Sequence, residues 1–250
     1  MSRILVVIPA YNEEENIAGV IVQVKRSLPG GDILVVNDGS VDRTGEAARK
    51  EQVMVLDLSN NLGIGGALQT GYKFALKHGY DIVVQIDGDG QHSSSEIPAM
   101  IKALQDKKSD IVIGSRFINQ GGFKSTLVRR IGIYYFSFLI KILTGVKIYD
   151  PTSGFRVCGR AAIEHFAFNY PADYASVESI IDSLRNGLRI SEVPVTMAER
   201  TAGVSSISRG KAVYYMIKVS LAVFFSLMKA PKKINRRLGV YEKNTNNYGG

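Results

Sequence analysis

The stretch VVQIDGDGQH, Val83 to His92, closes an apolar run with Asp87 and Asp89 one residue apart, glycines beside both, and then Gln91 and His92. Carboxylates at the end of a buried strand are costly unless something neutralises them. If the strand continued, the two side chains would point to opposite faces, but Gly88 and Gly90 permit a turn that brings both to one ligand. Oxygen-only donors favour Mg²⁺ or Mn²⁺ over zinc, and a hard dication held by one or two carboxylates keeps positions open for phosphate oxygens. An isolated Asp-Gly-Asp-Gly is usually a plain turn. Its place after an apolar strand, beside two other polar strand ends, points to the ligand role instead.

Three rival sites are tested by spacing. An EF-hand loop beginning at Asp87 needs Gly at its sixth position and Glu at its twelfth, where the chain has His92 and Pro98. A dinucleotide fingerprint in NLGIGGALQTG runs Gly63, Gly65 and then Leu68 where a third glycine belongs, and the first strand leads into PAYNEE rather than glycines. A phosphatase with Asp87 as nucleophile and Asp89 as acid is chemically reasonable, but leaves the other polar clusters unexplained.

These residues need a scaffold that brings strand ends together. Short β-branched runs recur at 3–8, 32–37, 53–58, 81–86 and 110–115, with helical patterns at 13–27, 43–51, 65–78 and 95–107 between them. The alternation predicts an α/β fold with a mostly parallel central sheet and flanking helices, and the unbroken apolarity of the strands says that both sheet faces are covered. The last of these helices opens on SSSEIP, with serines suited to cap it. In open sheets of this kind ligands lie beyond the carboxyl ends of the strands. The tails PAYNEE, NDGSVD and DGDGQH therefore converge on one edge, and SRF after the fifth strand is positioned to join them.

Beyond residue 120 the pattern changes. Between Arg130 and Lys141 lie ten uncharged, largely apolar residues, short of the roughly 20 that cross a bilayer. They predict either a core helix or an interfacial one. A turn-rich YDPTSGFR, a helix near 176–187 and a strand within LRISEVPVTM follow. The final segment, 211–229, reads as an amphipathic helix on which Lys211, Lys218 and Lys229 share one line, succeeded by five basic residues from Lys229 to Arg237. That pattern suits an anionic membrane surface or, equally, a helix packed on the domain with a solvated basic tail. The expected division is a catalytic domain at 1–208, the basic amphipathic helix and tail at 209–238, and a disordered end at 239–250.

The whole chain of 250 residues is 45% hydrophobic and 22% charged, the composition of a globular protein with one sizeable core. Its 31 Lys and Arg against 23 Asp and Glu give a net charge of +8, which suits nucleic acid, nucleotide or anionic lipid. Nucleic acid is disfavoured, because the basic C-terminal helix lacks interleaved aromatic platforms and a readout motif. The single cysteine, Cys158, excludes an intramolecular disulfide and any cysteine metal cluster. The opening apolar run ILVVI is five residues long and stopped by Pro9, too short for the core of a signal peptide, so a cytoplasmic location is expected.

Taken together, VVIPAYNEEENI, ILVVNDGSVDRT, NLGIGGALQTGY, QIDGDGQH, IGSRF, DPTSGFR and RTAGVSS resemble the family 2 glycosyltransferases of GT-A fold, in the polyprenyl-phosphate branch that includes dolichol-phosphate mannosyltransferase. The resemblance runs in order from residue 3 to 230. It implies inverting transfer of a sugar from a nucleotide diphosphate, dependent on a divalent metal. It places Pro9, Tyr11 and Glu13 around the nucleotide base, Asp38 on base or ribose, Asp87 toward the nucleotide, and Asp89 and Gln91 on the metal. Arg116, Arg129 and Arg200 match basic positions near the donor diphosphate or the acceptor phosphate, where guanidinium suits bidentate contacts. Ser205 lies in RTAGVSS, where relatives commonly carry Lys next; here that residue is Ser206.

Two acceptors remain open. A lipid phosphate is already anionic and attacks the anomeric carbon directly, whereas a glycan hydroxyl needs a positioned base. Glu178 aligns with the acidic position that many family 2 enzymes use for that purpose, with Asp150 and Asp173 as weaker candidates. The leading expectation is transfer of a hexose from a UDP-sugar, with GDP-mannose as the second choice, to polyprenyl phosphate by an enzyme held peripherally at the inner face of the cell membrane, directly or through a small membrane protein. The alternatives are extension of a lipid-linked or polysaccharide glycan with Glu178 as base, and a nucleotide-binding membrane-associated module without turnover.

Overall fold

The computed structural model describes residues 2–118, 127–172 and 175–196, with helical positions 216, 218–221, 223 and 224; the side chains of residues 127–129 lie outside what is described. The five expected strands are present as β1 (Ile4–Ala10), β2 (Asp32–Asn37), β3 (Met54–Asp57), β4 (Ile82–Gln85) and β5 (Ile111–Ser115). Two more follow, β6 (Arg156–Gly159) and β7 (Ile190–Pro194). The seven form one sheet in the order β3-β2-β1-β4-β6-β5-β7. Every pairing is parallel except those of β6, which runs antiparallel to both β4 and β5.

Strand periodicity explains why no face of the sheet is left to water. Leu5, Val7, Leu34, Val36 and Val83 feed one buried cluster, while their neighbours Val6, Ile8, Ile33, Val35 and Val84 feed the other. The first cluster is closed by α3 (Gly63–Lys77), α5 (Leu127–Thr144), α6 (Arg160–Asn169) and α7 (Ala175–Arg185). The second is closed mainly by α1 (Ile17–Ser27) and α4 (Ile97–Asp106), with Ala48 of α2 (Thr44–Lys50) joining it. Each aliphatic side chain so buried is worth about 1.5–3 kcal/mol of transfer free energy. Close approach matters on the first side: a Cβ at Gly71 of α3 would fall 2.4 Å from Val7 Cγ1, so glycine there lets the helix lie directly on the sheet.

Three local readings are refined. Residues 13–16 form a turn ahead of α1, with the Asn16 and Ile17 amides both donating to the Glu13 carbonyl. No serine side chain caps α4; a 3-10 turn at Ser94–Glu96 leads into it, and the Ser93 and Ser95 hydroxyls bond each other at 2.7 Å instead. The apolar helix α5 buries Ile133, Phe136 and Ile140, so it is a core helix on that face, while Ile131, Tyr134, Phe138 and Ile142 on it stay exposed.

In the C-terminal segment Val219 and Val223 are buried in the first cluster. Apart from positions 216, 218–221, 223 and 224, the expected amphipathic helix and tail lie outside the described residues, as do the boundaries at 208 and 238. Among the described residues no helix is long and apolar enough to cross a membrane.

Candidate active site

A cleft of about 530 Å³ opens at the carboxyl edge of the sheet, where β1 is flanked by β2 on one side and β4 on the other. Strand order reverses at that point, which is where open α/β sheets bind their ligands, and the volume is that of a small-molecule site. Pro9, Tyr11 and Glu13 arrive from the end of β1, Asp38 from β2, and Asp87 and Asp89 from β4. The sequence-predicted convergence of three strand tails is therefore what the fold builds.

The two loops on the β1–β2 side are stitched together by polar side chains. The Asn12 amide donates to Ser40 Oγ at 3.0 Å, the Val41 amide returns a bond to Asn12 Oδ1 at 3.0 Å, and the Glu13 amide donates to Thr44 Oγ1 at 2.8 Å. Asn12 holds a positive φ of 54°, a conformation asparagine tolerates better than most residues. Asp38 is buried and accepts the Leu62 amide on Oδ1 at 2.7 Å, which fixes the carboxylate at the floor of the cleft. Tyr11, 46% exposed, presents its ring at the rim.

The β4 side carries the charge. The strand stops at Gln85, so Asp87 and Asp89 both reach the cleft rather than pointing to opposite faces. His92, itself buried, meets Asp87 Oδ2 through Nε2 at 3.1 Å. Burial pushes the Asp87 pKa up, but the His92 hydrogen bond and the nearby His92, Arg116 and Arg156 outweigh it and hold the carboxyl below the usual carboxylate range. Asp89 Oδ1 accepts the Gln91 amide at 3.0 Å, closing a tight turn. Gln91 itself does not line the cleft.

Among the described residues no group of three or more His, Cys, Asp and Glu side chains gathers into a metal cage. A pair of cleft-facing carboxylates, one of them held ionised, fits Mg²⁺ or Mn²⁺ whose remaining positions are filled by phosphate oxygens and water. The donor set and its surroundings thus suit the expected dication.

The opposite wall comes from Thr152 and Gly154 ahead of β6, inside the DPTSGFR motif but given no individual role from the sequence, and from Tyr170 and, in the first turn of α7, Ser176, neither of which the sequence singled out. Gln85 at their base accepts hydrogen bonds from the Tyr72 and Tyr170 hydroxyls at 3.1 and 3.2 Å and donates to the Gly154 carbonyl at 2.8 Å. Its signal in the sequence was a lone amide inside the apolar run DIVVQI. Arg156, fully buried, donates to the Ser153 and Ser176 carbonyls and to Ser179 Oγ, tying β6 to the start of α7.

Of the three arginines expected near phosphate, only the Arg116 side chain is described. Arg116 does not line the cleft; its Nε and Nη2 reach the two Asp150 oxygens at 2.6 and 2.7 Å, and Nη2 also reaches Thr152 Oγ1 at 2.8 Å. Asp150 in turn is oriented by Glu192 of β7, which accepts the Tyr149 and Asp150 amides at 2.7 and 2.8 Å. Glu178 is half-buried in the first turn of α7 and is not among the residues that face the cleft. The Arg129 side chain, Asp173, Arg200, Ser205 and Ser206 lie outside the described residues.

Comparison with known proteins extends the geometry. A family model described as glycosyl transferase family 2 matches residues 5–167. The polyprenol monophosphomannose synthase of Mycolicibacterium smegmatis is 33% identical over 232 residues, covering 87% of this chain and 86% of its own. The undecaprenyl-phosphate mannosyltransferase of Micrococcus luteus is 33% identical over 241 residues, covering 91% of this chain and 98% of its own. Among solved structures, glucosyl-3-phosphoglycerate synthase from Mycobacterium tuberculosis, in complex with Mn²⁺, UDP and glucosyl-3-phosphoglycerate, shares the fold with a TM-score of 0.66 at 21% identity, over 94% of this chain and 82% of that one. With the family model running from β1 into α6 and both relatives matched along most of their length, the chain belongs to glycosyl transferase family 2, in its polyprenyl-phosphate branch, as a glycosyltransferase of the GT-A type.

Proposed function

We propose that the protein transfers a hexose from a nucleotide diphosphate sugar to polyprenyl phosphate, with inversion at the anomeric carbon, as a peripheral protein at the cytoplasmic face of the membrane. The observation that carries the proposal is the pair Asp87 and Asp89 in one cleft with Asp38 and Tyr11, a charged end for a diphosphate and a polar, ring-lined end for a nucleoside. The names of the two relatives supply the acceptor class and favour mannose as the sugar, beside the UDP-linked hexose expected from the motifs.

In this mechanism Tyr11 and Asp38 hold the base and ribose, and the depth of the cleft beside Gly154 receives the sugar. Asp87 and Asp89 would hold Mg²⁺ or Mn²⁺, which when bound would supply positive charge to stabilise the departing nucleoside diphosphate. An oxygen of the lipid phosphate attacks the anomeric carbon from the side opposite the diphosphate; the new carbon–oxygen bond forms as the old one breaks. The attacking oxygen is already anionic, so no side chain need remove a proton.

The test is incubation with labelled UDP-glucose or GDP-mannose, Mn²⁺ and undecaprenyl phosphate, followed by organic extraction. Label in the organic phase from one donor supports the proposal and names the nucleotide. Label appearing only on a glycan hydroxyl, and lost in Glu178→Gln, overturns the acceptor assignment.

A further inference from the structure

The helix α5 presents a second apolar face that the core does not use. Ile131, Tyr134, Tyr135, Phe138 and Ile142 are 62%, 71%, 40%, 63% and 64% exposed. At about 100° per residue these five fall within an arc of about 100°, on the side opposite the buried Ile133, Phe136 and Ile140. The stripe is about 16 Å long. Arg130 and Lys141, both exposed, sit along one margin of it at nearly the same angular position. The whole helix, Leu127–Thr144, contains no Asp or Glu.

Neighbouring structure extends the face. The Tyr135 hydroxyl bonds Ser220 Oγ at 2.7 Å, and the residue after Ser220, Leu221, is 52% exposed. Val219 and Val223 on the same segment are buried, so the segment is anchored to the domain rather than merely adjacent to it. The sequence past Phe224 carries Lys229, Lys232, Lys233, Arg236 and Arg237.

We infer that this outer face of α5, with Leu221 beside it, docks flat onto an anionic lipid surface: the apolar stripe enters the boundary between headgroups and acyl chains while Arg130 and Lys141 meet lipid phosphates. Aromatic and aliphatic side chains on one face with lysine and arginine at its edge are the composition of a helix lying in the interface plane. A second copy of the chain is the weaker occupant on two counts. Stripe against stripe would set Arg130 and Lys141 of each copy against those of the other with no carboxylate on α5 to relieve them. A stable protein interface also engages about 20–30 residues a side, against the half dozen here. Lipid makes neither demand. The docking face rests on the proposed function for its purpose, since a lipid-borne phosphate must be reached from the bilayer surface, while its geometry stands without it.

The experiment sediments the full chain with vesicles of phosphatidylcholine, with and without phosphatidylglycerol. Tyr134→Glu combined with Phe138→Glu is compared with Phe168→Glu, a substitution of a residue 67% exposed on α6. The expected result is binding that requires phosphatidylglycerol, falls at least about 30-fold in the double variant and is unchanged in Phe168→Glu, with thermal melting unaltered in both. Transfer to vesicle-borne polyprenyl phosphate should fall in parallel, while transfer to a water-soluble short-chain prenyl phosphate is kept. Sedimentation of the double variant at the wild-type level overturns the inference, as does a wild-type dimer that the double variant abolishes. If the stripe binds vesicles but neither acceptor is glycosylated, the docking face stands and the proposed acceptor fails. If the short-chain acceptor is glycosylated and no vesicle is bound, the enzyme assignment stands and the docking face fails.

Discussion

Gly154 and Asp87 are packed so closely that a Cβ at position 154 would fall 2.8 Å from Asp87 Oδ2 and 3.0 Å from Oδ1. The obstacle is the tip of a side chain rather than backbone, so a substitution would displace the carboxylate and leave the chain trace intact. Gly154→Ala is expected to lower turnover about 100-fold, the scale of an ångström-sized misplacement at a reacting centre. Its thermal melting should stay near wild type. Normal turnover with altered stability would mean that the pair is structural only.

Asp89 has no such steric guard, and its contribution is tested by charge. Asp89→Asn should reduce turnover about 10²–10³-fold, the cost of removing one electrostatic support for a leaving group. Thermal-shift measurements give a second readout: the stabilisation that Mn²⁺ adds to nucleotide sugar binding in the wild type should vanish in the variant.

Arg116 and Asp150 are both almost completely buried, with side-chain exposures of 3% and 0%. Removing Asp150 takes a two-oxygen carboxylate partner from a buried guanidinium. Asp150→Ala is expected to cost about 3–5 kcal/mol in urea denaturation. The double replacement Arg116→Met with Asp150→Ala should recover part of that loss, because the guanidinium is then removed together with its carboxylate.

The depressed Asp87 carboxyl predicts the sign of a pH effect. A group whose folded-state pKa lies below its unfolded value contributes stability that is complete above the unfolded pKa and is lost as pH falls through the folded one. In metal-free buffer the stability gap between wild type and Asp87→Asn should therefore close as pH falls below about 4. A gap that does not change below about pH 4 would contradict a depressed, hydrogen-bonded carboxylate at this position.

Much of this architecture can be read from residue order. The strands β1, β2 and β4 are unbroken apolar runs because they are covered on both faces, and their polar tails mark the ligand edge for the same reason: only there can charge reach solvent or substrate. The strand β6 could not be read this way. It is four residues long, begins with the buried Arg156, and follows a turn-rich segment whose composition it continues. Its neighbour α6 was equally hidden, since Ala162, Ile163, His165, Phe166 and Ala167 are all buried and leave little polar face to set a periodicity. In the site, Asp38, Asp87 and Asp89 were legible as strand ends. Thr152 and Gly154 were legible only as part of the motif DPTSGFR, and Ser176 not as a site residue, because small residues take their meaning from what packs against them. Arg116 reads in the sequence as a phosphate contact, and only the fold shows Asp150 and Thr152 engaging its guanidinium.

The reversed direction of β6 gives the cleft walls of opposite chain polarity. Parallel strands deliver the nucleoside side at their exits, while the wall holding Thr152 and Gly154 is delivered at the entrance of a strand running the other way. That wall is nevertheless tied to the charged end of the cleft, because Gly154 packs on Asp87 and Asp150 pairs with Arg116. An engineer reshaping the stretch that enters β6 therefore has to keep Asp150 and Gly154 in place.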